Sequence, residues 1–269
     1  EASWHHSKGK GVVEETQFIE SLAFGVDTVK LGGIVATADP RDRNFKKILK
    51  LHHKASPHFR GIRKMASFHE DKQIHAWTDE PQLYRNKKFL KGFEVLSQYN
   101  LSFDAWVYST QLEDVIYLAK QFPETSIVLD HLGTPAGLFG PIGANTGMTQ
   151  TARENIFFRW KDDLAELASC PNVYTKMSGL FMPVLGHRFH KEGRLASKQE
   201  VFDLAHPMIT HALACFGTYR VMFASNFPMD SVSTSLVNII DAFSDVVAAY
   251  DPDALERVFH HNAKQFYRL

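Results

Sequence analysis

The chain has 269 residues, of which 44% are hydrophobic, and its 30 Lys and Arg residues balance its 30 Asp and Glu residues. A neutral chain lacks the basic excess of nucleic-acid-binding domains and of proteins that bind anionic membranes, so we expect neither partner. A small-molecule substrate is the expected partner, and self-association into a homo-oligomer is compatible with this composition.

Short β-branched runs alternate with longer helical stretches along the chain. Such alternation is typical of a parallel sheet whose strands are connected by crossover helices. In chain order, the pattern predicts helix 12–23, strand 29–38, helix 43–55, strand 59–65, helix 89–99, strand 101–108, helix 111–122, strand 126–132, helix 154–168, strand 172–178, helix 199–216, strand 220–224, helix 235–249 and helix 252–259.

This pattern contains six strands, and residues 1–4 resemble the end of a seventh. A (β/α)8 barrel needs about 250 residues and eight strands. The sequence therefore predicts an α/β fold, a distorted TIM barrel forming a single domain over residues 1–269, with strand 1 missing. An open doubly wound sheet is the alternative. That fold calls for a GxGxxG phosphate loop, and Glu14 stands where the third glycine would follow Gly9 and Gly11.

Several polar side chains follow predicted strands, where barrels of this class place their active sites. His131 closes an apolar strand, and we expect it to be catalytic. Lys176 and Ser178 alternate with apolar neighbours, so both are expected to point inward and to bind substrate. Arg63 and Tyr108 are further predicted substrate-binding residues. A buried cation is costly unless it is paired. A structural ion pair inside the barrel is therefore an equally good explanation for a charged Arg63 on a buried strand as an anion-binding role.

Two carboxylates near these positions receive other interpretations. Asp130 directly precedes His131, and strand alternation predicts that its side chain faces outward. Asp230 is expected to cap the N-terminus of the helix that begins near Ser235.

The two cysteines, Cys170 and Cys215, form neither a CxxC motif nor a zinc-finger spacing. Widely separated cysteines are typical of proteins from a reducing compartment. The sequence does not start with a charged-then-apolar leader pattern and contains no apolar run near the roughly 20 residues of a membrane span. We therefore expect a cytoplasmic protein.

Several segments, taken in order, resemble the amidohydrolase-related family of metal-dependent hydrolases, which includes sugar-lactone and dicarboxylate lactonases. The matching segments are FRGIR, LSFDAWV, IVLDHLGTP, FRWKDDLAELASCPNVYTKMSGL, RVMFASNFP and HHNAKQFYRL. The resemblance implies a distorted TIM barrel that hydrolyses an ester-like or amide-like bond. It places the family's middle-strand histidine, a candidate metal ligand, at His131. It places the family's last-strand acid at Asn226, which becomes the second catalytic candidate.

Two departures from the family pattern concern its divalent metal, for example zinc. Members begin with an H-x-H on strand one. Here Glu1-Ala2 resembles the end of the family's second strand, and the adjacent His5 and His6 would point to opposite faces. We therefore expect an N-terminally truncated chain that lacks strand 1 and two metal-site histidines. Asn226 is neutral, and an amide is a weak metal ligand. Both departures argue against the usual metal site.

The predicted activity is hydrolysis of a small lactone or a related carboxylic ester or amide by attack of water. His131 would position or polarise the carbonyl, and Arg63 and Lys176 would hold a substrate carboxylate or the developing oxyanion. Two alternatives stay open. One is non-oxidative decarboxylation, which related barrels perform with a metal and a carboxylate base. The other is ligand binding without turnover by a degenerate barrel.

Overall fold

The computed structural model describes residues 7–269. The predicted strand end at residues 1–4 and the His5–His6 pair lie outside the described residues. Within the described range, six strands form one sheet in the order β1-β2-β3-β4-β5-β6. The strands are β1 (Ile34–Thr37), β2 (Phe59–Met65), β3 (Ser102–Trp106), β4 (Ile127–Leu129), β5 (Val173–Met177) and β6 (Val221–Phe223).

Helices connect and flank these strands. They are α1 (Val13–Ser21), α2 (Phe45–Ala55), α3 (Lys87–Gln98), α4 (Leu112–Gln121), α5 (Gln150–Ala168), α6 (Lys198–Phe216), α7 (Leu236–Tyr250) and α8 (Asn262–Tyr267). The helix predicted over 252–259 is instead a 3-10 turn at Pro252–Ala254 and a π-helical turn at Arg257–His261 that leads into α8. The described helices include none that is long and apolar enough to cross a membrane.

Every neighbouring pair of strands is parallel, and the spatial order equals the chain order. A doubly wound sheet reverses its strand order near the middle, so this topology excludes that alternative. Within residues 7–269, β1 and β6 are the two edges, and hydrogen bonds do not close the sheet into a ring.

The first described strand is shorter than predicted. Strand β1 begins at Ile34, and Val29 lies outside it with 78% of its surface exposed. The prediction that Val29 belongs to a strand is therefore wrong. Gly32 and Gly33 lie between Val29 and the start of β1. A Cβ added to Gly33 would lie 2.9 Å from a methyl group of Leu269. The C-terminal residue thus packs closely against the approach to β1.

The two faces of the sheet have different environments. Phe103 and Ala105 of β3 belong to the main apolar core, while Asp104 between them lines a cavity on the other face. This alternation follows from the two-residue period of a strand. On the cavity side, Phe266 of α8 packs with Val128 and Met222, so the C-terminal helix covers that face near the middle of β4 and β6. Arg63 and Asp104 lie in register with Val128, and Lys176 lies in register with Met222, so charged side chains line the cavity at the level of this apolar contact.

Candidate active site

Four charged side chains from successive strands meet on the cavity side of the sheet. We call Arg63, Asp104, Asp130 and Lys176 the inner ion-pair network. Lys176 Nζ lies 2.5 Å from Asp104 Oδ2 and 2.9 Å from Asp130 Oδ1. Arg63 Nη1 donates to Asp130 Oδ2 over 3.1 Å. The formal charges of these four described residues sum to zero.

Burial and pairing act differently on the two carboxylates. Burial and the nearby Asp130 raise the pKa of Asp104 to about 6, although Lys176 opposes the rise. Burial would also raise the pKa of Asp130, but the charges of Lys176 and Arg63 outweigh it and lower this pKa to about 2. Burial would lower the pKa of Lys176, but the two carboxylates hold it well above its usual value. Lys176 is therefore a permanent cation and a hydrogen-bond donor.

The inward position of Asp130 contradicts the prediction that this side chain faces outward. Asp130 is 0% exposed and lines the cavity. Strand β4 ends at Leu129, and the next residues form a tight turn in which His131 and Leu132 have φ values of 56° and 49°. Val128 faces the cavity side of the sheet, and Asp130, two residues further on, continues the strand period. The prediction failed because it took His131 as the inward strand residue, whereas His131 reaches the cavity through the left-handed turn.

His131 is held in a defined orientation. Its Nδ1 lies 2.8 Å from Ser178 Oγ, and its ring packs edge to face with Trp106 at a centroid distance of 5.7 Å. Burial, together with the charges of Arg63 and Lys176, lowers the pKa of His131 to about 3. The imidazole is neutral at pH 7, and Nε2 is the nitrogen left to meet a ligand. Ser178 thus orients His131.

Gly179 makes room for this histidine. Its φ is +65°, a conformation that glycine adopts without strain. A Cβ at this position would lie 2.6 Å from Cγ of His131. The segment Lys176-Met177-Ser178-Gly179 therefore contributes three features to the site. Lys176 is a cation of the inner ion-pair network, Ser178 contacts His131, and Gly179 leaves room for the His131 ring.

Asn226 follows β6 and has a φ of 55°. Its Nδ2 donates to Asp230 Oδ1 over 2.8 Å, and the backbone N–H of Phe181 lies 3.4 Å from Asp230 Oδ2. The predicted capping role of Asp230 is wrong, because Ser235 caps α7 by accepting from the backbone N–H of Asn238. Burial raises the pKa of Asp230 to about 7 despite these hydrogen bonds.

The inner ion-pair network, His131 and Asn226 border one cavity of about 400 Å³. Its lining includes four residues proposed from the sequence, namely Arg63, His131, Lys176 and Asn226. Their roles remain predictions, but the structure brings them together. Tyr108 lies elsewhere: it is buried, donates from its hydroxyl to the His75 carbonyl over 2.8 Å and borders a separate cavity of about 230 Å³.

Tyr267 is a cavity residue that the sequence did not indicate. Its hydroxyl donates to Asp104 Oδ2 over 2.8 Å, and Lys176 Nζ lies 5.5 Å from the centre of its ring. The residue belongs to the C-terminal helix, 163 positions from Asp104 along the chain. Only tertiary packing brings the two together, so no local pattern could have identified this contact.

The described residues do not supply a conventional metal site. Within residues 7–269, no group of three or more His, Cys, Asp or Glu side chains is arranged to hold a metal ion. The carboxylates of Asp104 and Asp130 are paired with cations, and Asn226 offers only an amide. A metal ion needs deprotonated ligands in a suitable geometry. We therefore derive no catalytic step from a metal.

The fold and the site define an α/β protein of the barrel class, with ionisable side chains collected at the carboxyl ends of parallel strands. The sequence model of the family described as Amidohydrolase matches residues 30–269, and the chain belongs to this family. The resemblance noted from the sequence is thereby confirmed.

Individual relatives place the chain more narrowly. The uncharacterized protein y4mH of Sinorhizobium fredii is 32% identical over 237 residues, which cover 88% of this chain and 70% of that protein. An L-fucono-1,5-lactonase of Burkholderia ambifaria is 27% identical over 219 residues, or 79% of this chain and 62% of the lactonase. The chain therefore spans less than two thirds of that lactonase's length.

A solved structure supports the fold. The crystal structure of an amidohydrolase from Burkholderia multivorans with bound zinc has a TM-score of 0.74 at 21% identity, covering 95% of this chain and 79% of that one. This similarity confirms the predicted barrel-type α/β fold. The zinc is a property of that protein, since the described residues here form no three-ligand site.

Proposed function

We propose that the protein hydrolyses a small, uncharged lactone by attack of water on the carbonyl carbon. The inner ion-pair network carries this proposal, because its charges cancel beside a neutral imidazole in a cavity of about 400 Å³. A cavity of this size is in the range that binds small ligands. Membership of the amidohydrolase family and similarity to an L-fucono-1,5-lactonase support hydrolysis of a cyclic ester.

The charge balance favours an uncharged substrate over a carboxylate. Arg63 and Lys176 are already paired with Asp104 and Asp130. A substrate carboxylate would have to compete with these buried ion pairs, and the loss of a buried partner is costly. An uncharged, hydroxylated lactone can instead donate its hydroxyls to the carboxylates and accept hydrogen bonds at its carbonyl.

The network residues have complementary roles in the proposed reaction. Lys176 and Arg63 provide the positive charge that stabilises the oxyanion as water adds to the carbonyl. Asp104 takes the proton from the attacking water, because its pKa of about 6 is close to neutrality. Its Oδ1 accepts no hydrogen bond from the described residues. His131 presents Nε2 to the substrate as a neutral group. As the tetrahedral intermediate collapses, the carbonyl re-forms, the ring C–O bond breaks and Asp104 returns the proton to the leaving ring oxygen, which yields a hydroxy acid.

The test is a direct assay of a panel of aldono-1,5-lactones, in which acid release is followed in a weakly buffered indicator solution. We expect hydrolysis well above the uncatalysed rate and its loss in His131→Ala. His190→Ala is the matched control, because His190 lies outside the cavity lining. An inactive wild type across the panel, or equal activity in His131→Ala, would contradict the proposal.

A further inference from the structure

Asp230 is a buried carboxyl group, and no cation among residues 7–269 forms an ion pair with it. The residue is 1% exposed, and none of the ion pairs among residues 7–269 includes it. Its carboxyl oxygens are reached by the Asn226 side-chain amide at 2.8 Å and the Phe181 backbone N–H at 3.4 Å. Burial of a carboxyl with so little compensation is unfavourable. The contact that distinguishes Asp230 is the one to Asn226, which lines the cavity.

We propose that Asp230 is a positioning residue that fixes the side-chain amide of Asn226 with its Oδ1 towards the cavity. An asparagine amide carries donors on its nitrogen and an acceptor on its oxygen. In the structure Asn226 Nδ2 donates to Asp230 Oδ1, and this hydrogen bond leaves the amide oxygen on the side away from Asp230. The orientation of the Asn226 amide is independent of the proposed function. The role of this amide in catalysis rests on the proposed function.

The local backbone supports a fixed arrangement. Asn226 has a φ of 55°, a region that asparagine tolerates better than most residues. The N–H of Asp230 lies 3.3 Å from the Asn226 carbonyl oxygen, so the two residues are joined through the backbone as well as through their side chains. No hydrogen bond from the described residues reaches Asn226 Oδ1. This oxygen is thus available to a ligand in the cavity.

A side-chain oxygen that faces the cavity at this position has a specific consequence. It accepts a hydrogen bond from a ligand group that carries a proton, and it does so only while the donor side of residue 226 is turned away from the cavity. We assign to Asn226 Oδ1 the binding of a substrate hydroxyl or of the attacking water, while Asp230 prevents the amide from turning its donor side to the cavity.

The experiment compares wild type with Asn226→Asp, Asp230→Asn and the double variant that swaps the two residues. In the swapped protein, the amide at position 230 can donate to one oxygen of the carboxylate at position 226 and leave the other oxygen facing the cavity. In Asn226→Asp alone, the new carboxyl group faces the carboxyl group of Asp230. In Asp230→Asn alone, the carboxyl group that fixes the Asn226 amide is absent. We expect kcat/KM on an aldono-1,5-lactone to fall about tenfold or more in each single variant, the equivalent of one lost hydrogen bond. The swapped protein should recover most of this loss.

Side-chain amide signals in ¹⁵N–¹H NMR spectra provide a readout that does not depend on lactone hydrolysis. The Asn226 signal is identified by its absence from Asn226→Asp. We expect it to move strongly in Asp230→Asn, while the Asn145 amide signal, from an exposed loop, stays in place. An unchanged Asn226 signal overturns the positioning role even if no lactone is hydrolysed. If the wild-type enzyme is active, two results overturn the catalytic part of the proposal. One is wild-type kcat/KM in the single variants, and the other is a swapped protein whose kcat/KM does not rise above that of the single variants.

Discussion

Asp130 and Asp230 are two buried aspartates beside one cavity, and their surroundings give them opposite properties. Asp130 is 0% exposed and Asp230 is 1% exposed. Despite its burial, Asp130 has a pKa of about 2 because two cations contact it. The described partners of the Asp230 carboxyl are N–H groups, and burial raises its pKa to about 7. Burial alone therefore does not define the chemistry of these sites. The partner decides whether the carboxyl is a fixed charge or a titratable acceptor.

The largest effect is expected when the network loses its shared cation. Lys176→Met leaves Asp104 and Asp130 buried next to each other without their ammonium. Breaking a buried pair in this way costs about 3–5 kcal/mol. We expect a corresponding fall in the free energy of unfolding, measured in urea, and loss of lactone hydrolysis.

The surface ion pair of Lys198 with Asp245 provides the control. Its nitrogen–oxygen distance is 2.7 Å, but the side chains are 47% and 52% exposed. Lys198→Met should cost less than about 1 kcal/mol, as exposed pairs do. Similar losses in Lys176→Met and Lys198→Met would show that the inner network is not the stabilising unit we describe.

Gly179→Ala tests how strictly His131 is positioned. The added Cβ would lie 2.6 Å from the histidine ring, so the ring must move. A displacement of about 1 Å in a catalytic group can cost about 10²-fold, and we expect a loss of that order in kcat/KM.

Gly193→Ala is the matched control for this change. Gly193 also has a positive φ, of +66°, but nothing lies within 4 Å of its added Cβ. The backbone strain is therefore shared by both variants, while the clash with His131 is confined to Gly179→Ala. Equal kcat/KM values for the two variants would remove the argument for a tightly held histidine.

A smaller effect concerns stability against pH at Asp230. Its pKa rises from an ordinary 3.8 to about 7 on folding. Between these values the unfolded chain has lost the proton and the folded protein retains it, so stability falls as pH rises towards 7 and levels off above it. Asp230→Asn lacks this titration. We expect the Tm of wild type minus that of Asp230→Asn to be several degrees larger at pH 5 than at pH 8. A constant or reversed difference would mean that Asp230 is ionised throughout.

The sequence predicted the fold well where strand periodicity was continuous. Strand β2 occupies Phe59–Met65, the same residues that the pattern indicated. The predicted strand over 29–38 was too long, because β-branched residues around the paired glycines were counted as part of it. Alternation of apolar and polar residues reports on burial, and it loses meaning where the backbone turns.

The site was predictable in part for the same reason. Lys176 and Arg63 lie within regular strands, so their inward direction followed from the alternation. Asp130 was misplaced because His131 was taken as the inward strand residue, whereas Asp130 continues the period of the cavity-facing Val128 and the turn brings His131 to the cavity. Gly179 and Tyr267 act through contacts between distant parts of the chain, and the sequence contains no local signal for such contacts.

The central claim is that the inner ion-pair network, whose four charges sum to zero, favours an uncharged lactone. The most direct measurement is kcat/KM of the wild-type protein for an aldono-1,5-lactone and for an otherwise matched lactone that carries a carboxylate, at about pH 7.5 and fixed ionic strength. We predict a preference of about tenfold or more for the uncharged lactone, since about 1.4 kcal/mol of unfavourable competition with the ion pairs produces that ratio. Faster hydrolysis of the carboxylate-bearing lactone would contradict the account, because the ion pairs of Arg63 and Lys176 would then not disfavour a substrate carboxylate.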